Sequence, residues 1–194
     1  MENGFPVLDK GYVHAEDYFI NEALIAGIAR LSHGKEVGDD EKTIQFLLKH
    51  EHTGPLEASC IVFKIKAPIF VLRQWQRHRI GQGFTERSLR YCEANPEFYC
   101  CHPGDQKFYD EAWKAYQQAL EGGDKKEQAR RFLPVGLYSE TYWYPNLVAL
   151  RHWLLLRLNN DAQYEIRQYA RAILRILKNI APITAKSISD EVWE

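Results

Sequence analysis

The sequence contains no run of about 18 apolar residues, the length a helix needs to cross a bilayer, so no membrane partner is expected. Its opening, Met1-Glu2-Asn3-Gly4, lacks the basic and apolar regions of a secretion signal. Four cysteines (Cys60, Cys92, Cys100 and Cys101) follow no metal-ligand or thioredoxin-like spacing, and the adjacent pair Cys100 and Cys101 would need awkward geometry to join. They read as small buried side chains or inert surface thiols, no metal site is expected, and the expected compartment is a reducing cytoplasm. Internal repeats, low-complexity tracts and long linkers are missing too, so residues 1–194 read as one domain. A net charge of -1 argues against a nucleic-acid partner, and 45% hydrophobic content is far too high for a disordered chain.

What is present is an alternation of short apolar patterns. Val7 to Val13 is strand-compatible, and apolar residues from Ala15 to Leu31 recur at helical spacing. Asp40 to Lys49 predicts a second helix, and His52 to Glu57 a loop. Cys60 to Lys66 alternates Ile61, Phe63 and Ile65 with Val62, Lys64 and Lys66, the pattern of a half-buried strand. Pro68 suits a helix start, and that helix is expected to reach about His78 before Gly81 and Gly83 break it into an irregular loop. Helices are further expected over Asp105–Glu121, over Lys125–Leu137 with an interruption near Pro134, from an Asn146 cap through Leu158, and after an Asp161 cap. The class is α+β, mainly helical with a small central β-sheet.

Charge is concentrated in one place. Arg73, Arg77, Arg79, Arg87, Arg90 and His78 fall within eighteen residues, opposed only by Glu86. On a helix, Arg73 with Arg77 and Gln74 with His78 lie at i, i+4 on adjoining faces. Arginine matches phosphate bidentately and glutamine can read a base edge, so one reading is an anion or nucleotide site. The other is a solvated helix face, and the apolar lead-in with Trp75 weighs against it. The glycines of the Ile80–Tyr91 loop let backbone amides approach an anion, although no P-loop pattern is present. Ser88 has no histidine at a spacing that marks a triad and is assigned hydrogen bonding rather than covalent attack.

Arg77-His78-Arg79, followed after eight residues by Ser88 and then Arg90-Tyr91, resembles the signature of the flavin-dependent thymidylate synthases. Similar stretches run along the chain in order: Leu8 to Val13, His52-Thr53-Gly54-Pro55-Leu56-Glu57, Ala67 to Trp75, Ala129-Arg130 with Leu133-Pro134, and Leu156-Arg157 followed by Ala162 to Ile166. The resemblance implies that family's fold and a homotetramer whose active sites form where subunits meet. It also implies methylation of dUMP at C5 with methylenetetrahydrofolate, FAD and NADPH, without a cysteine nucleophile. By position it places Gln74, Arg77, Glu86, Ser88 and Arg90 at the nucleotide and Arg130 at a phosphate. Arg157 falls where an arginine polarises the uracil, making it the catalytic candidate. Gly54, His78, Arg79, Ile80, Asn146, His152 and Gln163 fall at the flavin. On local grounds Asn146 reads equally as a helix cap, and His152 as a satisfied helix histidine.

The chain departs from the family pattern at Gly81 to Phe84, Thr85 and Leu89 in the substrate loop, and at Gly54, Ala58 and Val148 near the flavin. Val148 stands where an arginine is common. These departures keep open two alternatives: a UMP methylase of nucleoside-antibiotic pathway type, and a nucleotide-binding relative without catalysis.

Overall fold

In the computed structural model, which describes residues 4–34 and 37–193, five strands form one antiparallel sheet. They are β1 (Gly4–Val7), β2 (Gly11–Phe19), β3 (Cys60–Pro68), β4 (Gln82–Glu86) and β5 (Tyr138–Pro145), in spatial order β1-β2-β3-β5-β4. The helices are α1 (Glu22–Leu31), α2 (Asp40–Lys49), α3 (Ile69–Trp75), α4 (Gln106–Glu121), α5 (Lys126–Ala129), α6 (Leu147–Leu158), α7 (Tyr164–Ile180) and α8 (Pro182–Trp193). The mainly helical α+β class is therefore as expected.

Alternation along β3 sets the layers. Ile61, Phe63, Ile65 and Ala67 are buried on one face, while Val62, Lys64 and Lys66 lie half-exposed on the other. Helices α3, α6 and α7 pack on the buried side, and α1, α2 and α8 contact one another beyond them. Between the layers Trp75, Trp143 and Trp153 are fully buried, with Trp75 stacked on Trp153 at 4.4 Å between centroids. Truncating any of the three would cost about 3–5 kcal/mol. Capping fixes the helix starts: Asn21 accepts from the Leu24 amide and Asp39 from the Lys42 amide, both at 3.0 Å. The Glu22 carboxylate accepts from the Ile183 and Thr184 amides at 3.2 and 2.8 Å, placing negative charge against the start of α8.

Five expectations are corrected. Val7–Val13 is not one strand: Val7 ends β1 and Gly11–Val13 opens β2, with Leu8 at φ 59° in the turn that reverses the chain between them. Ala15–Phe19 belongs to β2, because pairing with β3 outcompetes its helical spacing, and the helix starts only after Asn21. Gln82–Glu86 is a strand on β5, not irregular loop. Lys125–Leu137 holds only α5 and a short 3-10 turn at Arg130–Phe132, after which Tyr138–Pro145 becomes β5. The last long helix begins at Tyr164, beyond Asp161, and Pro182 ends it and opens α8.

Candidate active site

Helix α3 is anchored by buried Trp75, and the chain then unwinds: the Arg77 amide donates to the Gln74 carbonyl and the His78 amide to that of Trp75. Gly81, at φ +69°, turns the chain into β4, and a Cβ there would lie 2.8 Å from Asn146 Oδ1. Asn146 clasps this turn. Its amide donates to the Gly81 carbonyl at 2.9 Å, while its side-chain oxygen accepts from the Ala149 amide at 2.9 Å. Both local readings of Asn146 are thus compatible: it caps α6 and it faces the cleft that follows. Buried Ser59 completes the anchoring, accepting from the Leu147 amide at 2.9 Å and donating to the Leu56 carbonyl at 2.6 Å.

Between α2, the 3-10 turn Gly54–Glu57, the Arg77–Gly81 turn and α6 lies a cleft of about 820 Å³. That volume suits a ligand of nucleotide or dinucleotide size. Arg77, His78, Arg79, Ile80, Asn146, His152 and Arg157 all line it. Gly54 lies in an adjoining hollow of about 710 Å³ that shares Leu47 and Thr53 with the cleft. Gln74 donates its side-chain amide to Gln163, joining α3 to the residue just before α7, and neither of the two lines the cleft.

At the centre of the electrostatics, Arg157 Nη2 donates to His78 Nε2 at 2.9 Å, and the His152 ring stands edge-on to His78 at 5.8 Å. His78 is drawn down to about 4, first by burial, then by the positive charge of Arg157, then by His152. Burial also lowers Arg157, whose Nε is buried without a partner among the described residues. The pair therefore presents one fixed cation beside a neutral imidazole. Ile80 is 90% exposed at the same cleft, an apolar side chain in search of cover.

The remaining candidates do not join this cleft. Ser88 and Arg90 lie beyond β4, where the Arg90 amide donates to Ser88 Oγ at 3.3 Å and its guanidinium donates to Glu127 at 3.2 Å. Arg130 is exposed at the end of α5, and Glu86 accepts from the Gln76 side chain at 2.9 Å. Arg90 and Arg130 thus meet at Glu127 with Ser88 beside them, apart from the cleft, while Glu86 touches the exit of α3 at Gln76. The cleft also includes Thr53, Glu57, Gly81 and Arg151, to which the resemblance gives no role. For the first two the signal was present in the His52–Glu57 stretch, whereas an arginine inside a helix reads as solvated.

Comparison with known proteins matches residues 16–183 to the family described as thymidylate synthase complementing protein. The flavin-dependent thymidylate synthase of Thermus thermophilus is 39% identical over 97% of this chain and 79% of its own length. That of Thermotoga neapolitana is 38% identical over 92% of this chain and 91% of its own. Among solved structures, the UMP/dUMP methylase PolB of Streptomyces cacaoi, bound with 5-Br dUMP, superposes with a TM-score of 0.86 at 27% identity, covering 96% of this chain and 97% of that one.

Proposed function

This chain belongs to the flavin-dependent thymidylate synthase family, and on that premise we propose that it methylates dUMP at C5 to give dTMP. FAD is the bound cofactor, methylenetetrahydrofolate the carbon donor and NADPH the reductant. The observation that carries this reading is the Arg157–His78 pair inside the cleft, a fixed guanidinium whose buried Nε has no partner among the described residues. The donor set fits a flavin dinucleotide: a cleft and adjoining hollow of sufficient size, exposed apolar Ile80 at its wall, and several cations.

In this reading His78, Arg79, Ile80, Asn146, His152, Gly54 and Gln163 hold the cofactor. FAD, once reduced, supplies the hydride that completes the methyl group. Gln74, Arg77 and Arg157 receive the pyrimidine, and Arg157 favours the negative charge that develops on the ring. The neutral imidazole of His78 keeps a second cation away from that guanidinium and fixes its direction. Glu86, Ser88, Arg90 and Arg130 lie outside the cleft of their own chain and complete the nucleotide site from a neighbouring subunit of a homotetramer.

The visible spectrum of the purified protein titrated with FAD tests the proposal. A bound flavin spectrum that bleaches with NADPH and recovers on turnover of dUMP is expected, and failure to retain flavin at any concentration would sink it. The R157A variant should retain its oligomeric state and lose turnover; unchanged activity would remove Arg157 from the mechanism. A second reading, UMP as substrate, is favoured by the likeness to a UMP/dUMP methylase. Competition between dUMP and UMP in a product assay decides between them.

A further inference from the structure

Four arginines line the cleft, and their surroundings differ. Arg157 is engaged by His78, and Arg77 and Arg79 are exposed on the turn after α3. Arg151 is different: its side chain is only 17% exposed, and Nη2 donates to both carboxylate oxygens of Glu191 at 2.9 and 2.7 Å. Its Nε is buried without a partner, and Nη1 makes no hydrogen bond among the described residues. Glu191, on α8, therefore holds the guanidinium in one orientation without using all its donors.

The position of Arg151 along α6 adds to this. Asn146, Val148 and Ala149, at the start of the helix, line the same cleft, and Arg151 is the first cation after them. The Val148 amide makes no hydrogen bond among the described residues, while the neighbouring amides of Leu147 and Ala149 are satisfied by Ser59 and Asn146. A helix start with a free amide and a pre-oriented guanidinium one turn on both favour a phosphate. The carboxylates on the cleft wall, Glu51 and Glu57, come from the turn after α2 and from the 3-10 turn, and four arginines outnumber them.

We propose that Arg151, held by Glu191 at the start of α6, binds the pyrophosphate of the flavin dinucleotide; this rests on the flavin reading above. Because Val148 is uncharged, Arg151 is the first arginine that α6 offers to the phosphates, and Arg157, further along, is engaged by His78. Pre-orientation by Glu191 reduces the ordering lost on binding.

The test compares FAD with riboflavin, which has the same ring and no phosphate, by titration of flavin absorbance and fluorescence. The unmodified protein should bind FAD more tightly than riboflavin. R151Q should weaken FAD about tenfold or more and leave riboflavin unchanged. R151K, which can keep the ion pair and so protects against a folding defect, should lose part of the FAD preference. E191Q, whose amide oxygen still accepts from Arg151, should keep that preference. Equal weakening of both flavins in R151Q, or the full R151Q loss reproduced by E191Q, would overturn the proposal and leave Arg151 as an anchor for α8. Unmodified protein that binds neither flavin would instead overturn the flavin reading itself, and the Arg151 assignment with it.

Discussion

Arginine can only donate, so its 2.9 Å contact makes His78 Nε2 the acceptor and leaves the imidazole proton on Nδ1. His78 is pulled from an ordinary value of 6.5 to about 4 by burial and its two cationic or polar neighbours. Between those two values the unfolded chain takes up a proton that the folded chain refuses. His78 therefore contributes stability that is fully present above about 6.5 and is lost as pH falls toward 4. Urea midpoints measured from pH 7.5 down to 4.5 should fall less steeply for H78N than for the unmodified protein; parallel slopes would assign the acid sensitivity to other groups. In R157A the imidazole loses one of the charges that lower it, so its titration, followed by NMR, should move back toward the ordinary histidine value. The same substitution that removes the catalytic candidate thus reports on how His78 is kept neutral.

At the scale of elements, the join between β2, β3 and α7 leaves no space at Gly11. A Cβ there would lie 2.2 Å from the Tyr169 hydroxyl and 2.7 Å from the carbonyl oxygens of both Lys66 and Val7. Two of these are backbone, and the third cannot swing away freely because Tyr169 donates to the Lys66 carbonyl at 2.8 Å. G11A should cost about 2–3 kcal/mol in urea unfolding, whereas G54A, with nothing within 4 Å of its Cβ, should change stability by less than about 0.5 kcal/mol. The exit of β4 is held more lightly. The Arg87 amide donates to the Glu140 carbonyl at 2.8 Å, the Arg87 guanidinium stands 3.9 Å from the Glu140 carboxylate, and the Tyr12 hydroxyl donates to that carboxylate at 2.5 Å. E140A keeps the backbone bond and loses the rest, so the KM for nucleotide should rise about 2–5-fold with flavin affinity unchanged; a matching loss of flavin binding would mean a wider disturbance. These packing relations mark the limit of what the sequence disclosed. The strand β3 and helix α2 were legible because period-two alternation and an apolar side formed by Ile44, Leu47 and Leu48 are local signals. The strand β5 was not: Ser139, Glu140 and Thr141 take their pairing from β3 and β4, distant in sequence, and Gly11 tightness depends on Tyr169 far along the chain. The cleft residues of the Arg77–Ile80 turn, Asn146, His152 and Arg157 could be named in advance by resemblance, but Arg151 acquires meaning only beside Glu191.

For the whole molecule, the separation of the cleft residues from Ser88 and Arg90 has a direct consequence. Arg157 lies in the cleft with His78, while Ser88 and Arg90 lie beyond β4 against Glu127. A chain acting alone would have to bring these groups together by moving β4, which is paired along its whole length with β5. Assembly of copies, with one cluster facing the other across a subunit boundary, needs no such movement, and that is the arrangement proposed above. The proposal makes a prediction that no single-chain site can meet. R157A and R90A should each be inactive alone. When the two are unfolded together and refolded, a site built from two chains is intact if its cleft comes from an R90A chain and its loop from an R157A chain. With random assembly about a quarter of the sites meet that condition, so roughly a quarter of the unmodified activity should return. Mixing without refolding should return little if the assembly exchanges subunits slowly. Light scattering of each variant establishes that both still assemble. Mixed assemblies that stay inactive would place Arg157 and Arg90 in the same chain's site and would end the shared-site reading, whatever the oligomeric state.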